Sequence, residues 1–181
     1  MGSTAIRNRA LLLLGLLVAT EAFGHPSGFH KKLTVTLTKT KVSALIVMDV
    51  DSGDRCLLLR EAVDSNRDGL ITGAEVTKLK EQLVKLATRP LKLSISTAPI
   101  SLVIKETKVS LREDPRANDA ALSVAVLVEI EHAHPVSTGM EFEVEDTSPD
   151  QSTIVLQVFQ EGVKPFQEEV KSGVKTKVRF N

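Results

Sequence analysis

The residues best equipped for chemistry lie in one run of twelve, Asp64-Ser65-Asn66-Arg67-Asp68-Gly69-Leu70-Ile71-Thr72-Gly73-Ala74-Glu75. It satisfies D-x-[DN]-x-[DN]-G-x₅-E, the spacing of an EF-hand calcium loop, at every constrained position. Ca²⁺ is a hard cation that takes roughly six to eight oxygens in a loose cage, and each constraint follows from that need. Asp64, Asn66 and Asp68 offer side-chain oxygens from alternate positions. Gly69 permits a sharp turn, because a residue without Cβ tolerates backbone angles that others avoid. Leu70 would contribute its backbone carbonyl, which leaves its side chain free to be apolar. Thr72 would ligate directly or through a water, and Glu75 would close the cage with both carboxylate oxygens. Arg67, which is not a ligand, trims the field of the three carboxylates. The structural alternative is an Asx-rich turn whose carboxylates merely cap the following helix.

A calcium loop needs a helix on each side, and the flanking pattern supplies both. Asp51, Ser52 and Asp54 offer capping chemistry, and Cys56, Leu59 and Val63 recur at helical spacing. After the loop, Val76, Leu79, Leu83 and Leu86 form one apolar stripe, with Lys78, Lys80, Glu81 and Lys85 on the other side. That helix is expected to end at Arg89, before Pro90. Outside this insertion, spanning about 51–89, the period is two, as half-buried strands require. Leu33 to Thr38 and Val42 to Val50 read as a hairpin. Leu91 to Ile95, a turn at Ala98-Pro99, Ile100 to Ile104, Val109 to Leu111, Leu122 to Ile130, Phe142 to Glu145, Thr153 to Gln160 and Val174 to Phe180 read as further strands. Arg112 to Ala120 reads as a polar loop. The expected architecture is mainly β with a helical insertion: an antiparallel, Ig-like β-sandwich carrying one EF-hand helix–loop–helix. EF-hands usually pair, and no second loop is found. Asp146 to Asp150 is acidic but holds Pro149 and lacks the glycine and closing glutamate. The apolar stripe of the second helix must therefore find another partner, either the sheet or a second copy of the chain.

The chain opens with Arg7 and Arg9, a short apolar run from Ala10 to Thr20, and Ala22-Phe23-Gly24. This is the three-part pattern of a secretory signal peptide over residues 1–24, with a mature start at His25. The apolar run is shorter than the roughly 20 residues needed to span a bilayer, so no membrane span is expected after its removal. Export to a periplasm or the extracellular space is the expected localisation. The full chain has 23 basic and 23 acidic side chains. This balance, without a basic cluster, argues against nucleic acid as a partner. Trp and Tyr are absent, which removes the side chains that stack best on bases. Cys56 is the only cysteine, so no intrachain disulfide can form. Its expected role is a small buried apolar residue.

Two other chemistries compete. His25, with a free α-amino group, could clamp Cu²⁺ or Ni²⁺ with His30, His132 or His134, since imidazole suits both ions. An accessory protein for copper or nickel is the alternative reading. For catalysis the chain offers no G-x-S-x-G elbow, no H-E-x-x-H and no nucleophile–base set, so an enzyme is not expected.

Taken in order, the chain resembles the exported domain preceding the membrane helices of hydrogenase/urease-accessory (HupE/UreJ-type) membrane proteins and their nickel–cobalt permease relatives. The likeness rests on His25-Pro26-Ser27-Gly28-Phe29, the Leu33 to Leu37 strand, the Val47 to Val50 strand end, the loop from Asp64 to Gly69 with Glu75, and the later β pattern. It implies a β-sandwich with a helical insertion and a calcium site at Asp64, Asn66, Asp68, Leu70, Thr72 and Glu75. No membrane helices follow Asn181, so transport is not carried over, and a soluble stand-alone version is expected. The combined expectation is an exported calcium-binding module, with a calcium affinity of about 10⁻⁵ to 10⁻³ M as in extracellular sites. Calcium would stabilise the helical insertion, which would present a surface to a protein partner or a second copy.

Overall fold

Alternation of apolar and hydroxylated side chains builds the centre of the molecule. In β1 (Phe29–Leu37), Leu33, Val35 and Leu37 point inward while the threonines between them stay outside the core. The strand pairs antiparallel with β2 (Val42–Val50), Leu33 opposite Ile46 and Val35 opposite Ala44. The computed structural model describes residues 29–38, 41–110, 115–130, 139–149, 153–160 and 162–179. The leader over 1–24, the mature start at His25, and His132 and His134 lie outside them.

The two strands sit in the middle of a six-stranded sheet. Its other members are β5 (Leu102–Ser110), β6 (Leu122–Ile130), β8 (Thr153–Gln160) and β9 (Phe166–Lys171), in the order β5-β6-β2-β1-β8-β9. A smaller sheet has the order β10-β7-β3-β4, from β3 (Leu91–Ile95), β4 (Ala98–Pro99), β7 (Glu141–Asp146) and β10 (Lys175–Arg179). Two helices, α1 (Asp54–Glu61) and α2 (Ala74–Thr88), lie between β2 and β3 in the chain. The fold is thus mainly β with a small helical part, as the change of period from two to 3.6 and back requires. None of the described helices is long and apolar enough to cross a membrane.

One cluster of buried side chains serves both sheets and the helices. It takes Ile46, Met48, Val126 and Leu156 from the larger sheet, Leu93, Phe142 and Val144 from the smaller, and Leu79, Leu83 and Ala87 from α2. Each such aliphatic or aromatic side chain contributes about 1.5–3 kcal/mol on leaving water. The stripe of α2 finds its partner within the chain, because the helix lies against β2 and β6. The stripe is rotated slightly from the expected one: Ala87 is fully buried, whereas Val76 and Leu86 are only partly covered.

Several expectations are corrected by the structure. The larger sheet is not wholly antiparallel, since β8 lies parallel to β1 with Leu33 opposite Leu156. The strand before β8, β7, belongs to the smaller sheet, so β8 is not the return arm of a hairpin within the larger one. The turn expected at Ala98-Pro99 lies two residues earlier, at Ser96 and Thr97, whose φ angles are 47° and 74°. A two-residue hairpin loop of this hand needs φ > 0 at both positions. Pro99 falls instead on the edge strand β4, where its missing N–H costs no ladder bond. The sequence pattern gave no sign of β9, because only Val170 of its six residues is buried. The acidic residues before α1 do not cap it either. The N-cap is Gly53, with no side-chain cap bond, and Asp51 Oδ2 instead meets His30 Nε2 at 2.9 Å on the exposed surface. Cys56 is buried, with its Sγ 3.0 Å from the Asp51 carbonyl, and burial raises its thiol pKa.

A polar cluster joins the two sheets. Lys31 of β1 is nearly buried and donates from Nζ to Ser148 Oγ at 2.7 Å; Ser148 Oγ donates to Asp146 Oδ1 at 2.7 Å. Lys31 Nζ stands 3.9 Å from Asp146 Oδ2, and the Asp146 side chain is fully buried. Gly173 N–H donates to the Asp146 carbonyl at 2.7 Å, which ties β7 to the turn before β10. Breaking a buried pair by removing one member costs about 3–5 kcal/mol. Asp146→Ala is accordingly expected to lower unfolding stability by about that amount in urea titration; a loss within error of zero would show that the cluster is not a fastener.

Candidate metal centre

The loop from Asp64 to Glu75 joins the end of α1 to the start of α2, so helices flank it on both sides. Its first residue is fixed by the helix that precedes it, since Asp64 N–H donates to the Arg60 carbonyl at 3.0 Å. The chain then curls inward. Arg67 and Gly69 take φ angles of 59° and 76°, left-handed conformations that aim successive N–H groups toward the loop interior. At Gly69 this backbone explains the residue type, because a side chain there is strained whatever the space around it.

Each expected ligand can be placed. Asp64 Oδ2 accepts the Gly69 N–H at 3.0 Å. Asn66 Oδ1 accepts the Asp68 N–H at 3.1 Å, and Asp68 Oδ1 accepts the Leu70 N–H at 2.8 Å. Asn66 Nδ2 donates to Asp68 Oδ2 at 2.8 Å. Glu75 is nearly buried and folds back over the loop. Its Oε1 accepts the Ser65 N–H at 2.8 Å and the Ser65 hydroxyl at 3.0 Å, and its Oε2 accepts the Thr72 N–H at 3.4 Å. The Ser65 amide is the main cause that holds the Glu75 carboxyl below its ordinary pKa, and the Ser65 hydroxyl and Thr72 amide add to it. Leu70 leaves its side chain part-exposed, as a residue serving through its carbonyl can. Thr72 is exposed and engages Glu75 only through its backbone.

The six residues therefore share one loop, with Glu75 closing it onto Ser65. The carboxylates are nevertheless not drawn to a common point. Among the described residues no three His, Cys, Asp or Glu side chains are grouped closely enough to hold a metal ion. Like charges repel, and each carboxylate rests on its own backbone donors. One oxygen is left over: Asp64 Oδ1 is buried and has no hydrogen-bond partner among the described residues. Buried oxygens without partners are rare in folded proteins, and an ordered water or an ion is what usually accounts for them.

The loop is held from outside by a segment that the motif does not reveal. Ala117 N–H donates to the Gly69 carbonyl at 2.8 Å, Ile71 N–H donates to the Pro115 carbonyl, and Leu70 bridges to Arg116 in antiparallel fashion. Arg60 is buried and donates through Nη1 to the Arg116 carbonyl at 2.9 Å and through Nη2 to the Ala120 carbonyl at 3.2 Å. Sequence reading missed both parts. The only available sign was a guanidinium placed four residues after Cys56, on the face of α1 that turns inward.

No protein-family model matches the chain, and no curated protein matches it.

The lowered pKa of Glu75 gives the loop a pH dependence whose sign can be worked out. The folded loop binds a proton less readily than the unfolded chain, so the stabilisation is present above the ordinary value of 4.5 and is lost as pH falls below it. Thermal midpoints of wild type and Glu75→Gln should converge on acidification below that value, and a constant gap from neutral to acid pH would contradict this origin.

Proposed function

We propose that the chain binds one calcium ion in the loop from Asp64 to Glu75 and uses it to brace the helical insertion against the sheet. The observation that carries the reading is the buried, unpartnered Asp64 Oδ1 at the first position of a loop closed by Glu75 at the last. The donor set fits a hard cation: carboxylates from Asp64, Asp68 and Glu75, the Asn66 amide oxygen, the Leu70 carbonyl, and Thr72 or a water it holds. All are oxygens, with no thiolate or imidazole that would favour zinc or copper. When bound, calcium supplies a central positive charge that relieves the repulsion among the three carboxylates. The chain's own residues do the rest, and the N–H groups of Ser65, Asp68, Gly69, Leu70 and Thr72 hold the oxygens to the loop.

In this reading the fold is an Ig-like sandwich that carries a single EF-hand helix–loop–helix, and the module acts outside the cytosol without catalysis. Its likeness to the exported domain of hydrogenase/urease-accessory membrane proteins supports the same placement. The insertion, once braced, offers a protein partner a surface of fixed shape.

A ligand that binds only the native state stabilises it by mass action, by about 2.7 kcal/mol at a hundred times its dissociation constant. The thermal midpoint of the wild-type chain should therefore rise steadily with added Ca²⁺. Glu75→Gln keeps an acceptor for Ser65 but loses a ligating charge, and should need at least about tenfold more Ca²⁺ for the same rise. Identical responses of the two proteins would remove the loop from consideration as the site.

A further inference from the structure

EF-hand loops ordinarily come in pairs, and the sequence holds no second one. The described contacts contain a replacement. Pro115, Arg116 and Ala117 run antiparallel beside Gly69, Leu70 and Ile71, with one backbone hydrogen bond on each side of the Leu70–Arg116 bridge. Those three loop residues lie between the ligands Asp68 and Thr72 and include the Leu70 carbonyl donor. The short ribbon thus fixes the part of the loop that holds the one backbone carbonyl of the proposed ligand set.

The strap is itself held in place. Arg60 places one guanidinium nitrogen on the Arg116 carbonyl and another on the Ala120 carbonyl, at 2.9 and 3.2 Å. The fork of a guanidinium suits two acceptors at once, whereas an ammonium is a single point donor. The same residue accepts, at its own carbonyl, the N–H of Asp64 at 3.0 Å. Arg60 therefore grips the site twice, at the first ligand through its backbone and at the strap through its side chain. Gly53 N–H donates to the Asp119 carbonyl at 2.8 Å, which fixes the far end of the same segment to the start of α1.

We propose that the segment Pro115–Ala117 serves as the pairing partner of the calcium loop, and that Arg60 is a positioning residue which sets calcium affinity by holding that segment. The proposal rests on the calcium reading of the loop. Neither Arg60 nor the strap supplies a ligand. They act by preorganising the loop, so that less ordering remains to be done when an ion enters.

The test is equilibrium dialysis against Ca²⁺ with the full chain, at a temperature where far-ultraviolet circular dichroism shows every variant folded. Ala117→Pro removes the N–H that reaches Gly69, and Arg60→Met removes the fork while keeping apolar bulk. Each should weaken calcium binding by about tenfold or more, the usual effect of losing a partner that orients metal ligands. Arg60→Lys should fall between Arg60→Met and wild type. Val170→Ala, a buried position in β9 at the opposite edge of the larger sheet from β5, serves as a destabilised control and should bind as wild type does. Wild-type affinity in both Ala117→Pro and Arg60→Met overturns the proposal while leaving the calcium site standing. An equal loss in Val170→Ala also overturns it, because general destabilisation would then account for the effect. A wild-type chain that takes up no Ca²⁺ overturns the calcium reading and this inference together.

Discussion

Two backbone hydrogen bonds, Ala117 to Gly69 and Ile71 to Pro115, register the Asp64–Glu75 loop against the β-fold. A twelve-residue loop made mostly of polar residues and glycine has little apolar surface of its own to bury, and alone it would have no reason to adopt one shape. Its interior bonds are local ones, an Asx-type oxygen meeting an N–H two to five residues on. The ribbon to the 115–117 segment is different in kind, because it joins the loop to residues more than forty positions away. Through it the loop is registered against the connector that leads into β6, the strand on which α2 also rests. The insertion is therefore fastened at two places, by apolar packing along α2 and by hydrogen bonds at the loop.

The same division of labour recurs across the molecule. Apolar burial sets the large-scale arrangement, with one cluster shared by both sheets and α2. Polar groups then fix details that apolar contact leaves free. Lys31, Ser148 and Asp146 join the two sheets at one end, and Arg60 joins α1 to the strap. In both places a long basic side chain gives up most of its water and donates to backbone or side-chain oxygens. Such clusters favour one arrangement, because most alternatives strand a buried charge.

How much of this was legible in the sequence follows from how local each feature is. The helices flanking the loop, the change of period around them, and the left-handed glycine at Gly69 were all visible, since each depends on neighbours within a turn or two. The hairpin of β1 and β2 was visible for the same reason. The parallel pairing of β1 with β8 was not, because strand partners far apart in sequence leave no mark on either strand's alternation. β9 was hidden by its composition, as an edge strand buries too little to show a period. The turn at Ser96-Thr97 was misplaced because proline is an ordinary turn signal, yet here the left-handed pair precedes it. At the loop, every residue of the proposed ligand set could be picked out from the sequence, whereas the strap could not. Its hold uses backbone groups of Pro115, Arg116 and Ala117, and backbone bonding carries no side-chain signature. Only Arg60, a cation on an inward helix face, hinted that something polar had to be reached.

The central claim is that the buried oxygen of Asp64 and the folded-back carboxylate of Glu75 belong to a calcium site. Equilibrium dialysis of the purified wild-type chain against radioactive Ca²⁺ tests it most directly. The account predicts saturable uptake of a single ion per chain, with half-saturation at about 10⁻⁵ to 10⁻³ M. Uptake that never saturates, or none above a protein of similar charge without such a loop, would contradict it.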